Sequence, residues 1–376
     1  MKRIKALVIA AAAALATGTA LADITIGACL PLTGPASNLG ISMKNALALF
    51  PKEIAGQKVN LIILDDATDP TNGVKNARRF VTEDKVDVIL GSAATPVGIA
   101  MADVALESQT PQLLGTPAPT PKDGFTFRMP QSVGVMAHAM VEHMQKQGVK
   151  TVGFLGYTDA YGESWLKDFT PIAAKAGIKI VVTERFARTD TSVTAQALKV
   201  VAANPDAVLV VASGSGAAMP QMGIAERGYK GKIYQTHAGA TKDLMRVGGK
   251  TVEGTYVVSG PVIAPDQLPA SHPSRKAAQE FVAAYDKVYG AGSHNQFSGH
   301  AWDMALVLQK AVPIALKKAK PGTPEFRVAL RDAFETMGRT VVAHGVLNWS
   351  KADHWGYTNE TGVMVKVVNG DWKVEQ

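Results

Sequence analysis

The sequence predicts an α/β protein: two doubly wound parallel-sheet domains joined by three crossing segments, with a ligand cleft between them. Three observations lead there. Short apolar runs alternate with segments of helical spacing along most of the chain. Glycine recurs between a helix and the next strand, at Gly148, Gly177 and Gly228. Extended stretches marked by proline or glycine interrupt the alternation at three places.

Taken in order, the apolar runs at 24–30, 59–64, 86–90 and 112–114 read as a first set of strands. Runs at 151–155, 178–183, 207–211, 232–235 and 255–259 read as a second set. They are short and apolar throughout, as strands covered on both faces should be. Helical spacing marks 42–50, 72–83, 97–107, 135–146, 164–175 and 193–202 between them. Each glycine of the recurring device suits a left-handed helix cap, which costs a residue without Cβ nothing. Repeated strand–helix units imply parallel sheets with right-handed crossovers.

The stretches 127–130, 259–261 and 345–349 are the expected crossings. Long helices follow the second at 274–289, 299–316 and 324–337, and a tail at 362–374 closes the chain. The expected division is a leader over 1–22, an N-terminal lobe over 23–130 plus 262–344, and a C-terminal lobe over 131–261 plus 345–376. Two open sheets facing each other place a cleft at their carboxyl ends, where such folds take ligands.

The leader is read from Lys2, Arg3 and Lys5, the apolar run that follows, and the small-x-small pattern Ala20-Leu21-Ala22. Export with cleavage before Asp23 is expected, placing the chain in the periplasm. Cys29 follows a run that only loosely resembles a lipid-attachment site, and reads as a buried strand residue. As the single cysteine it can form no internal disulfide. Removing the leader's three cationic residues takes the formal charge from +7 to +4. With no basic block interleaved with aromatics, nucleic acid is not an expected partner.

Catalytic motifs do not present themselves. The first strand runs into Gly27-Ala28-Cys29-Leu30-Pro31-Leu32-Thr33-Gly34, which lacks dinucleotide-turn spacing. Gly214-Ser215-Gly216 is not a nucleophile elbow. The eight histidines show no metal-ligand spacing. Asp65, Asp66 and Asp69 read as turn and cap residues. The expectation is no enzyme, no cofactor and no metal. The strand-end loops instead carry hydroxyls and small residues: Gly91-Ser92-Ala93-Ala94-Thr95-Pro96, and Thr116-Pro117-Ala118-Pro119-Thr120-Pro121. Hydroxyls and free N–H groups at a helix start suit a carboxylate. Thr95 alone also reads as an N-cap, with Pro96 opening the helix.

The stretches "ITIGACLPLTGPASNLG", "LDDATDPTNGVKNARRFV", "VDVILGSAAT", "LLGTPAPTP", "TDAYGESW" and "PDAVLVVASG" occur in this order. Together they resemble the branched-chain amino-acid type of periplasmic solute-binding protein. The resemblance spans essentially the whole chain after the leader. It implies the type I periplasmic-binding fold and an inner-membrane ABC permease as partner. A monomer is expected. It also implies a site. Thr95, Ala118 and Thr120 match positions that hold the ligand carboxylate. Tyr161 and Trp302 match aromatic walls. Leu39 and Ser213 fall where the family carries tyrosines, so two aromatic walls are absent here.

His237, in "IYQTHAGATKDL", falls where amino-acid-binding members carry an acid that pairs with the ligand ammonium. A neutral imidazole cannot replace that acid, and an unpaired buried cation is costly. The substitution implies a carboxylate ligand without an α-amine, with an aromatic or apolar body beside Trp302. His237 could then donate to an oxygen or a phenol, or take a second carboxylate if protonated. The alternatives are leucine, isoleucine or valine as cargo, with Asp159 or Glu163 as counter-ion, and a ligand sensor working with a regulator.

Overall fold

A computed structural model describes residues 23–120 and 123–375. The expected leader, and Pro121, lie outside them. The strands of the first sheet are β1 (Ile24–Leu30), β2 (Glu53–Ile54), β3 (Gln57–Asp65), β4 (Val88–Gly91), β5 (Gln112–Leu114) and β6 (Thr126–Arg128). The chain continues with β7 (Thr151–Tyr157), β8 (Lys179–Phe186), β9 (Ala207–Val211), β10 (Lys232–Gln235), β11 (Tyr256–Ser259), β12 (Thr340–Val342), β13 (Gly345–Leu347), β14 (Val363–Val368) and β15 (Asp371–Val374). The helices are α1 (Ser37–Leu47), α2 (Pro70–Thr82), α3 (Thr95–Glu107), α4 (Val133–Lys146), α5 (Ala160–Lys175), α6 (Thr194–Ala202), α7 (Ala218–Glu226), α8 (Lys242–Gly248), α9 (Arg275–Tyr289), α10 (Gln296–Ala315) and α11 (Pro324–Thr336).

The first sheet has the order β2-β3-β1-β4-β5-β6 and is parallel apart from the short β2. The second has the order β15-β14-β11-β10-β9-β7-β8, parallel from β11 to β8 and antiparallel through β14 and β15. The fold class is therefore two doubly wound parallel α/β sheets. Strands β1, β4 and β9 are the most evenly apolar and sit in the middle of their sheets, covered by helices on both faces. Strand β8 ends the second sheet and carries Lys179, Glu184 and Arg185, charges that blunt an open edge. Cys29 is buried in β1.

Gly148, Gly177 and Gly228 have φ of 73, 74 and 72°, the left-handed conformation expected of them at helix exits. Asp69 caps α2, accepting from the N–H groups of Thr71 and Asn72, with Pro70 in the first turn. Asp65 accepts from the N–H groups of Leu32 and Ala67 and from the Thr33 hydroxyl. These aspartates close turns, as the sequence indicated.

The chain passes from the first sheet to the second between β6 and α4, and returns after β11, since α10 packs on α1. It passes over once more between β13 and β14. The expected crossings need adjustment. Residues 126–128 are a full strand of the first sheet, and 345–347 pair antiparallel with β12 in a hairpin before the chain crosses. Helix α1 begins five residues earlier than its hydrophobic spacing indicated. Gly40 lets its first turn press on the end of β1: a Cβ there would lie 2.1 Å from the Pro31 carbonyl oxygen. That approach carries Leu39 toward the gap between the sheets.

Candidate functional site

The carboxyl ends of β4 and β5 in the first sheet face those of β7, β8, β9 and β10 in the second. The loops leaving these strands enclose a narrow cavity with about 240 Å³ of space free of atoms. Its first-sheet wall is Leu39 from α1, Ala93 and Thr95 around the start of α3, and Thr116 and Pro117 after β5. Its second-sheet wall is Tyr161, Arg188, Ser213, His237 and Ala238. Phe297, in the first turn of α10, completes it. Asn38 Nδ2 donates across the mouth to Asp243 Oδ2 at 3.2 Å, so the two walls are closed on each other. A larger groove, with about 1320 Å³ of space free of atoms, lies beside α4 and the C-terminal strands; it is open to solvent, and no parallel strand end points into it.

Thr95 is the first residue of α3, not its cap. Ala94 occupies the cap position and makes no side-chain bond. The Thr95 hydroxyl is free of capping work and shares a hydrogen bond with the Thr116 hydroxyl, joining two strand-end loops. Tyr161 opens α5, where Asp159 caps the helix through the N–H groups of Tyr161 (2.9 Å) and Gly162 (3.3 Å). Only glycine fits at 162, because a Cβ would fall 1.8 Å from the Tyr157 carbonyl oxygen. The Tyr161 hydroxyl donates to Thr236 Oγ1 at 2.8 Å. Burial pushes its pKa well above the ordinary tyrosine value, so it stays a neutral donor.

Arg188 lies just past β8. Its Nε donates to Asp159 Oδ2 and its Nη1 to Ser213 Oγ at 2.9 Å. The guanidinium stands 4.1 Å from the Tyr157 ring centre, and 5.9 Å from that of Tyr161. Among the described residues no hydrogen bond reaches Nη2. The cavity thus has a held cation in its wall with donor capacity to spare. Among the described residues no Asp or Glu lines it. Asp159 is occupied by Arg188 and the α5 cap, and Glu163 is half-exposed and paired with Arg185. Neither is available as an ammonium counter-ion.

His237 sits in the short 3₁₀ turn after β10 and is buried. Its ring lies 6.0 Å, edge-on, from Tyr161 and 5.9 Å from Trp165. Its Nδ1 has no hydrogen-bond partner among the described residues. Burial first, and the nearby His344 second, pull its basicity down to about 3. His237 is therefore a neutral imidazole at physiological pH and offers no imidazolium to a second carboxylate.

Of the residues singled out from sequence, Thr95, Tyr161, His237, Leu39 and Ser213 come together on the cavity. Ala118, Thr120 and Trp302 do not. After Pro117 the chain turns away toward Arg128, which is buried at the end of β6. Arg128 Nε donates to the Ala118 carbonyl (2.9 Å) and Nη2 to Thr120 Oγ1 (2.7 Å), while Thr120 donates to Asp123 (2.8 Å). Both residues pin the loop. Trp302 packs on Phe281, ring centres 5.8 Å apart, in the layer of helices outside the sheet. Phe297 takes the aromatic place instead. Five residues on a helix turn through about 500°, leaving the two side chains roughly 140° apart, so they cannot share a face. Asn295 and Ser298 form a capping box, and that signature alone puts Phe297 in the first helical turn. Arg188 was missed because the loop after β8 has no glycine, and its hydroxyls at Thr189, Thr191 and Ser192 drew no attention to the arginine beside them.

A sequence profile for periplasmic binding proteins matches residues 23–371. The chain belongs to the periplasmic binding protein family. Members of this family bind solutes for ABC transporters, and this periplasmic binding protein is no enzyme. The family's compartment is the periplasm, and its members work with a permease. An extracellular ligand-binding receptor from Rhodopseudomonas palustris shares 46% identity, with a TM-score of 0.93 over 95% of this chain and 100% of its own. The Leu/Ile/Val-binding protein BraC3 of Rhizobium johnstonii is 28% identical over 70% of this chain and 73% of its own length. An R. palustris ABC solute-binding protein in complex with benzoate shares the fold at 19% identity, with a TM-score of 0.78 over 94% of this chain and 95% of its own. No helix among the described residues is long and apolar enough to cross a membrane.

Proposed function

We propose that this periplasmic binding protein captures a small carboxylate that lacks an α-ammonium group and delivers it to an ABC importer. The carrying observation is the charge of the cavity wall: Arg188 is present, an acid is not, and His237 is neutral. An ammonium closed into this cavity would lose its water and gain no counter-charge. A carboxylate would meet Arg188 Nη2 with the hydroxyls of Thr95, Thr116 and Ser213 close by. Charge-assisted bonds of this kind are the strong ones. Leu39, Pro117 and Phe297 suit an apolar or aromatic body.

The lobe built on the first sheet, residues 23–130 with 262–344 and the β13 strand that pairs with β12, and the lobe built on the second, 131–261 with the tail strands β14 and β15, would move apart and together on the crossings. Residues 1–22 would act as a cleaved export signal, and the mature chain would work as a monomer. Titration calorimetry with matched pairs tests the ligand class: 3-phenylpropionate against phenylalanine, and 4-methylpentanoate against leucine. Binding of the acids, with the amino acids at least about ten-fold weaker, supports the reading. Tight leucine binding with silent acids would overturn it, and would favour the cargo named for the Leu/Ile/Val-binding relatives.

A further inference from the structure

Phe297 and His300 lie three residues apart on α10 and so share one face of the helix. Phe297 lines the cavity, and that face continues inward to His300. The His300 ring is fully buried and stacks on His344, ring centres 3.9 Å apart and planes 23° apart. Neither nitrogen of His300 has a hydrogen-bond partner among the described residues, and Nε2 of His344 has none. His344 itself is fixed. Its Nδ1 donates to Asp303 Oδ2 at 2.8 Å, and Asp303 is held in turn by the N–H groups of Ala343 (2.8 Å) and His344 (3.1 Å). His237 is the member of this group that lines the cavity, and it too has an orphaned nitrogen.

Buried polar atoms without partners are rare, because each forfeits its hydrogen bond to water. One on the cavity wall, at His237, with further orphaned ring nitrogens on His300 and His344, marks a place where a bound molecule supplies a missing bond. We infer that His237, backed by His300 and His344, binds an uncharged hydroxyl on the ligand, remote from its carboxylate. The inference rests on the carboxylate reading above and narrows it to hydroxy-carboxylates. A hydroxyl suits either imidazole tautomer, since it can donate and accept. A second carboxylate does not, because burial and the mutual proximity of the three rings keep His237 and His300 neutral. An ammonium does not, because the acid of the group, Asp303, lies outside the cavity lining and already holds three donors.

The test uses the full mature chain and isosteric ligands that differ only at the far end: 3-(4-hydroxyphenyl)propionate against 3-(4-methylphenyl)propionate, with 3-phenylpropionate as the common parent. An aliphatic pair, 6-hydroxyhexanoate against heptanoate, separates the hydroxyl from the ring. The hydroxyl compound of either pair should bind at least about ten-fold tighter than its methyl isostere. In His237→Leu that ratio should fall to about one or invert. His237→Asn, which keeps a donor and an acceptor, should retain a preference, and serves if the leucine variant does not fold. Equal binding of hydroxyl and methyl isosteres by the wild type, with the carboxylates still bound, overturns this inference and leaves the carboxylate reading standing. Leucine binding with every acid silent overturns both.

Discussion

Nη1 of Arg188 donates to Oγ of Ser213 at 2.9 Å. The serine stands where the sequence resemblance places a tyrosine, and the smaller side chain opens the space the guanidinium occupies. A wall that would have been aromatic is cationic instead. Arg188→Met should weaken carboxylate binding by about 1.5–3 kcal/mol, the range for hydrogen bonds to charged groups. Arg188→Lys should recover only part of the loss, because a point charge cannot serve Asp159, Ser213 and a ligand at once. Unchanged affinity in both variants by calorimetry would remove Arg188 from the site.

The threonines divide into two kinds. Thr95→Val removes a hydroxyl from the cavity wall and from its bond to Thr116, and should cost about 1–2 kcal/mol of binding. Thr120→Val should leave affinity within about 0.5 kcal/mol, since Thr120 is engaged with Arg128 and Asp123 away from the cavity, and should lower the melting temperature. Loss of affinity in Thr120→Val with intact binding in Thr95→Val would reverse the assignment of the two loops.

The pH response follows from His237. The groups around it are Tyr161 and Trp165 by ring contact, His344 and His300 by charge. With its basicity drawn down to about 3, the folded protein binds no proton there above pH 5. Ligand binding should be flat between pH 5.5 and 8. Stability behaves differently. The unfolded chain takes up a proton at His237 below its ordinary value of 6.5, and the folded chain does not. His237 therefore costs nothing above pH 6.5 and destabilises the fold as pH falls toward 3, by roughly 3 kcal/mol at pH 4. Urea denaturation across this range should show the wild type losing stability more steeply than His237→Gln. Parallel slopes would mean that the ring is wetter than the structure shows.

Asn38 and Asp243 hold the mouth shut from opposite walls. Asn38→Ala should raise the ligand dissociation rate several-fold, matching a loss of about 1 kcal/mol from the closed state. Association should change little, since an open cleft lacks this bond. Stopped-flow displacement separates the two rates, and a change confined to association would contradict a closing role.

The two sheets were legible because buried parallel strands are written as unbroken apolar runs. Ile24–Leu30 and Ala207–Val211 could be little else. What escaped were features without that periodicity. The β12–β13 hairpin has three residues per strand, and the tail divides into β14 and β15 at Asn369-Gly370, a turn pair inside a stretch read as one piece. Strand-end loops pointed to the cavity, since ligands gather where parallel strands stop, and to Thr95 and His237; the family resemblance added Tyr161. Ala118 and Thr120 misled because sequence shows that a loop leaves a strand, but not that Arg128, eight residues beyond Thr120, draws it away. Trp302 misled because it lies five residues past Phe297, on another face of the same helix. Arg188 sat in a strand-end loop with Thr189, Thr191 and Ser192, but its importance appears only once β8 lies beside β7 and brings it over Tyr157.

Trp165 is fully buried behind His237, its ring 5.9 Å from the imidazole. That places an intrinsic fluorophore one ring away from whatever enters the cleft. A ligand that changes the hydrogen bonding of His237 alters the electric field at the indole, while one that binds elsewhere does not. Emission from the unlabelled protein should thus report occupancy directly, and Trp165→Phe should darken that signal. The chain carries its own optical gauge, usable on crude mixtures of candidate compounds before any of them has been purified.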